Sequence, residues 1–130
     1  ELQLPLKKKR MAAERELKEF IRNTCGALAA EVLLARAAFP SIERKAVHEV
    51  LIDAAALQNA SLTKVSVSFD KRPSDFATKA EYNKARHTYF AEAYNRLLDE
   101  FDAGVCAIVK KMNAALPEEV RSTFKEAVSE

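Results

Sequence analysis

Apolar residues recur at steps of three and four through most of this chain, and that spacing restricts it to amphipathic helices. Leu17, Phe20, Ile21, Cys25, Leu28 and Val32 share one face of a first segment. Glu14, Arg15, Lys18, Glu19 and Arg22 fill the other face. Pro40 ends the segment, because proline disfavours helix at the residue before it. Asn23, Thr24 and Gly26 are poor helix formers and predict a kink within it. Ser41 is the expected N-cap of a second helix, with Glu43 in its first turn. The apolar face of that helix is Ile42, Ala46, Val47, Val50, Leu51, Ala54 and Leu57, and Ile52 falls outside it, partly exposed.

Residues 58–77 interrupt the helical period. Val65, Val67 and Phe69 alternate with Ser66 and Ser68, as in a strand. The sequence offers no partner strand, so the segment is either an ordered extended loop or an edge that pairs with another chain. The loop is the preferred reading. Asp70 to Asp75, with Pro73 and Ser74, is a turn cluster. Thr78-Lys79-Ala80-Glu81 is a capping box that opens a third helix. Its inward residues are Tyr82, Ala85, Tyr89, Phe90, Ala93 and Leu97, then Tyr94, Leu98, Phe101, Val105, Ile108, Val109, Met112 and Leu116. The period crosses Gly104 without a break, which predicts one long helix or two nearly collinear ones. Pro117, Glu118 and Glu119 begin a last helix with Val120, Phe124 and Val128 as its stripe. The expected fold is all-α, a bundle of four to five helices with one long extended middle loop. Residues 1–10 form a basic extended tail, and 11–130 a single helical domain.

Composition agrees with that reading. The chain has 130 residues, enough for one domain, with only 2 Gly and 4 Pro, which opposes a turn-rich β fold. The 21 basic and 19 acidic side chains nearly cancel, leaving +2, so a charged partner needs local clustering rather than overall charge. Charged residues interrupt every apolar stretch, so no membrane span and no membrane partner is expected. The opening residues run apolar and then basic, the reverse of a secretory leader, and an intracellular location is expected. The chain does not start with Met, and whether it is a fragment of a longer protein is not legible in the sequence. Cys25 and Cys106 both sit among apolar residues and are expected to be buried free thiols.

No Gly-rich phosphate loop, His-Glu-x-x-His or paired Cys-x-x-Cys is present, and no cofactor or metal is expected. His48 and His87 fall on different helices with no evident carboxylate or cysteine partner. Asp99, Glu100 and Asp102 read as a solvated helix face, and the aromatic residues of the third helix as core. Two basic features remain. Lys7-Lys8-Lys9-Arg10, behind Pro5-Leu6, has the form of a short nuclear import signal. Arg44, Lys45 and His48, with Lys64, Lys71 and Arg72 from the following segment, form a phosphate-binding patch if they converge.

The run Phe39-Pro40-Ser41-Ile42-Glu43-Arg44-Lys45-Ala46-Val47-His48-Glu49 resembles the middle of the Arg-x-x-x-His domain, a small module that binds single-stranded nucleic acids. Arg44 and His48 match its named pair, and Val65 to Phe69 stands where that family has a strand. Leu28 to Leu57 is also similar to a helical domain of unknown function widespread in mushroom-forming fungi. That family has a long amphipathic helix, a Phe-Pro pair (here Phe39-Pro40) and another helix, and the likeness implies no known activity.

The expected function is a non-enzymatic interaction module, a protein-binding or scaffold domain in a nuclear or nucleic-acid-associated protein. The alternatives are a weak, sequence-independent nucleic-acid-binding domain and an enzyme with a dispersed site. The oligomeric state is not legible in the sequence.

Overall fold

The computed structural model describes residues 10–117. They form three helices: α1, Arg10–Ala38; α2, Arg44–Val65; and α3, Lys79–Ala115. A single 3-10 turn, Pro73–Asp75, lies in the segment between α2 and α3. No strand occurs among the described residues. The last helix expected after Pro117 lies outside them, as do Lys7, Lys8 and Lys9 of the basic tail. Arg10 is the first residue of α1 rather than part of a tail.

Helix α1 buries Leu17, Ile21, Cys25, Leu28 and Val32, the stripe expected from their spacing. It runs through Asn23, Thr24 and Gly26 without interruption. These residues face outward or lie half-buried, so their weak propensity is outweighed by the stripe that flanks them. The turn into α2 is closed by backbone bonds from Phe39 N to the Ala35 carbonyl (2.8 Å) and from Ile42 N to the Phe39 carbonyl (3.0 Å). Arg36 Nε donates to the Ile42 carbonyl at 3.1 Å. Ile42 plugs the corner, buried although it precedes the helix.

Two expectations for α2 need correction. Its N-cap is Glu43, not Ser41, and no side chain caps it. Residues 39–42 form a turn that buries Ile42, and Glu43 is extended, so the first helical residue is Arg44. The helix also continues to Val65, about two turns past Leu57. Ser61 and Val65 are buried on the same face as Val47, Val50 and Ala54. A serine there hides the period from a reading based on apolar residues alone. Thr63 Oγ1 donates to the Asn59 carbonyl at 2.9 Å, which lets a hydroxyl sit in the helix with its hydrogen bond made.

The middle segment therefore begins at residue 66, not 58. Val67 and Phe69 are half-buried between exposed Ser66 and Ser68, so the alternation is real but pairs with no strand. The strand that the Arg-x-x-x-His resemblance implies at Val65–Phe69 does not form. Aromatic rings hold the segment instead. Phe69 lies 5.8 Å from Tyr82, 5.3 Å from Tyr89 and 6.4 Å from Phe76, between ring centroids. Asp75 closes the 3-10 turn by accepting from Arg72 N at 2.9 Å.

Thr78 caps α3, its Oγ1 accepting from Glu81 N at 3.2 Å. The helix then runs unbroken across Gly104, one of the two forms expected. Phe90, Tyr94, Leu97, Phe101 and Ile108 are its buried residues. Tyr89, expected inward, is 37% exposed, packed by Phe69 of the loop and edge-to-face by its neighbour Phe90.

α2 runs antiparallel to both other helices, and two core clusters stack along the bundle. One joins Leu17, Ile21 and Cys25 to Val65, Phe90, Tyr94, Leu97 and Phe101. The other joins Leu28 and Val32 to Ile42, Val47, Val50, Ala54 and Ile108. Leu57 and Val105 pack against both. Gly104 lets Leu57 approach α3 closely: a Cβ there would lie 2.5 Å from Leu57 Cδ1, so the leucine would have to shift. α1 and α3 approach each other closely at few points, because rings such as Phe20 and Phe101, 5.7 Å apart and edge-to-face, fill the space between them.

Candidate functional site

Turning α1 back along α2 leaves a groove on one side of the hairpin. Its lining is Leu33 and Arg36 from α1, and Arg44, Lys45, Val47, His48 and Leu51 from α2. The helical period explains the set. Leu33 and Arg36 are one turn apart on α1, and Arg44, Val47, His48 and Leu51 climb α2 at steps of three, one and three. Val47 is buried and Leu51 half-buried, so they form the floor, while Leu33 is 52% exposed at the edge. Arg44, Lys45 and His48 are exposed along the rim, and Arg36 is half-buried with one nitrogen held by the Ile42 carbonyl. The volume is about 560 Å³, open along its length. No carboxylate lines it.

The six residues expected as a phosphate patch separate into two places. Arg44, Lys45 and His48 come together, and the structure adds Arg36, which the sequence reading did not include. Arg36 lies in the last turn of α1, where a cation is ordinary, and only the hairpin brings it opposite Arg44. Lys64 stands in the last turn of α2, roughly 30 Å from Arg44 at the rise of an α-helix. Its ammonium is paired with Glu100 Oε1 at 3.1 Å. Lys71 and Arg72 are exposed on the middle segment, at that same far end.

Lys111 and Asp53 form an ion pair at 2.6 Å between α3 and α2. The hydrogen bond that Lys111 Nζ donates to Asp53 Oδ2, and then the Asp53 charge, hold the pKa of the Lys111 ammonium above its ordinary value. Of the acidic cluster near the middle of α3, Glu100 binds Lys64 while Asp99 and Asp102 are exposed. Among the described residues no three His, Cys, Asp or Glu side chains gather to hold a metal ion. His87 is exposed on α3, on a different helix from His48.

The cysteines divide. Cys25 is buried in the first cluster, and burial pushes its thiol above the usual range. Cys106, expected to be buried, is exposed. It follows Val105 and precedes Ile108 in sequence, but on a helix it points away from the stripe that runs through Phe101 and Ile108. A second shallow groove lies between Phe76 and α3, lined by Glu81, Lys84, Ala85, Thr88, Tyr89 and Glu92. No helix of the described residues is long and apolar enough to cross a membrane.

Comparison with known protein families, with characterised proteins and with solved structures finds no match to this chain.

Proposed function

We propose that the chain is a non-enzymatic interaction module that binds a protein partner through the α1–α2 groove. One observation carries this reading: Leu33 stands half out of the core beside Leu51, inside a rim of basic side chains. The fold does not use that part of Leu33, since the stripe of α1 is already filled by Leu28 and Val32. Covering it would gain about 1 kcal/mol, half the value of burying a leucine fully. The polar groups of the groove are suited to binding rather than bond-making, because a basic rim provides charge without an acid–base pair.

Weak, sequence-independent nucleic-acid binding is the second reading. It is supported by the meeting of Arg36 with Arg44, Lys45 and His48, which together could neutralise backbone phosphates. The nuclear setting rests on Lys7 to Arg10 as an import signal. Deleting Lys7, Lys8 and Lys9 from a tagged chain is expected to reduce its nuclear fraction.

Affinity capture tests the proposal, with the chain and a Leu33→Ser, Leu51→Ser variant as baits in extract with and without nuclease treatment. A protein held by the parent and lost by the variant supports the groove, provided circular dichroism shows the variant folded. Capture that vanishes with nuclease favours nucleic acid. Capture that survives in the variant places the interaction elsewhere.

A further inference from the structure

We infer that the occupant of the α1–α2 groove is an acidic amphipathic helix, with two apolar side chains one turn apart and carboxylates along both flanks. This rests on the interaction reading above and specifies its partner.

Charge is the first argument. Arg44, Lys45 and His48 make no ion pair with any described residue, whereas Lys64 and Lys111, on other faces of α2 and α3, are matched to Glu100 and Asp53. The groove lining holds no acid to neutralise its rim. A complementary partner therefore brings carboxylates, which steer approach and set orientation. A second copy of this chain, docked by the same face, would set basic rim against basic rim.

Shape is the second argument. The rim flanks an apolar floor of Val47 and Leu51 with Leu33 at its edge. A phosphate backbone could satisfy the rim but would leave Leu33 and Leu51 wet. No Phe, Tyr or Trp ring lines the groove to stack a base. A groove between two helices accepts a third one, read by apolar anchors at i and i+3 or i+4. Carboxylates beside those anchors would meet Arg36 on the α1 side and Arg44, Lys45 and His48 on the α2 side.

The test uses the full chain and a fluorescent synthetic helix of about four turns. The peptide carries Leu at i and i+4 and Glu on both flanks. Three further probes are the same peptide with Lys for Glu, the same peptide with Ser for Leu, and a single-stranded oligothymidine. Fluorescence anisotropy should show saturable binding of the Glu/Leu peptide, at least about tenfold tighter than either altered peptide, and weakening as salt is raised. An Arg44→Glu, Lys45→Glu variant should lose about tenfold for the Glu peptide and gain for the Lys peptide. That swap of preference cannot come from unfolding. Absence of saturable binding by the Glu/Leu peptide overturns the inference. So does equal binding of the Ser peptide or tighter binding of the oligothymidine. If extract capture depends on Leu33 while the Glu/Leu peptide fails, the acidic helix is wrong and the interaction module stands. If capture and peptide binding both fail to depend on the groove, both readings fall.

Discussion

At the end of the bundle where α1 turns into α2, residues 39–43 make the connection and the core is aliphatic, built from Leu28, Val32, Ile42, Val47, Val50 and Ile108. At the opposite end, residues 66–78 join α2 to α3, and the core adds the rings of Phe90, Tyr94 and Phe101 to Leu17, Ile21, Val65 and Leu97. The short turn is held by backbone bonds and the Arg36 contact to Ile42. The long segment has α3 to follow, a helix that outreaches α2 by roughly 20 Å. Few backbone bonds hold that segment. Rings hold it instead: Phe69 stacks on Phe76 and lies tilted against Tyr82 and Tyr89, and Phe76 meets Tyr82 edge-on, each ring pair adding about 0.5–1.5 kcal/mol beyond its buried area. Connection length thus decides which chemistry closes each end of the same bundle.

The largest expected effect lies in the aromatic core. Phe101→Ala should cost about 3–5 kcal/mol, a large share of a small domain's stability, because a buried ring leaves a cavity that helices cannot close. Val50→Ala in the aliphatic cluster should cost about 1–3 kcal/mol. Urea unfolding of the two variants ranks them, and a greater loss at Val50 would break the contrast between the ends.

Phe69→Ala should act locally, with a loss of about 1–3 kcal/mol. Hydrogen exchange should rise through residues 66–78 while the Phe39 and Ile42 amides keep their protection. Equal loss of protection at both turns would mean that the rings do not hold the loop separately.

The junction between the clusters allows a sharper measurement. Alanine at Gly104 gains about 1 kcal/mol of helix propensity. Against that, its methyl displaces Leu57, whose Cδ1 sits 2.5 Å from the position of the new Cβ. Gly104→Ala should therefore gain less stability in the parent, where Leu57 must shift, than in a Leu57→Ala background. A double-mutant cycle reads this difference, and additive effects would show that Leu57 moves aside at no cost.

The smallest effect concerns the thiols. At neutral pH a disulfide-exchange reagent should modify Cys106 promptly and Cys25 only on unfolding. Because burial raises the folded-state value of Cys25, its contribution to stability is complete below the ordinary thiol range and falls as pH rises through that range and above it. Cys25→Ala should flatten that decline. An unchanged alkaline slope would place its origin elsewhere.

Much of the fold was legible in the chain, and the reasons are local. A period of three and four is a property of neighbouring residues, so Leu17 to Val32 marked α1, and Phe90 to Ile108 carried α3 across Gly104. Pro40 and Thr78 marked boundaries through their own backbone and hydrogen-bonding chemistry. The failures share one cause, which is that burial depends on what another helix presents. Ser61 continues the buried face of α2 between Ala54 and Val65, whereas polarity alone suggested a loop. Val67 and Phe69 alternate like a strand because one side of an extended loop lies against rings on α3. The same applies to the candidate site. Arg44, Lys45 and His48 share a helix face that the sequence alone determines. The hairpin alone decides that Arg36 and Leu33 stand opposite them, and that Lys64 lies at the far end, paired with Glu100. Spacing along one helix determines which side chains share a face, but which faces become a floor, a rim or a core is set by packing between helices distant in sequence.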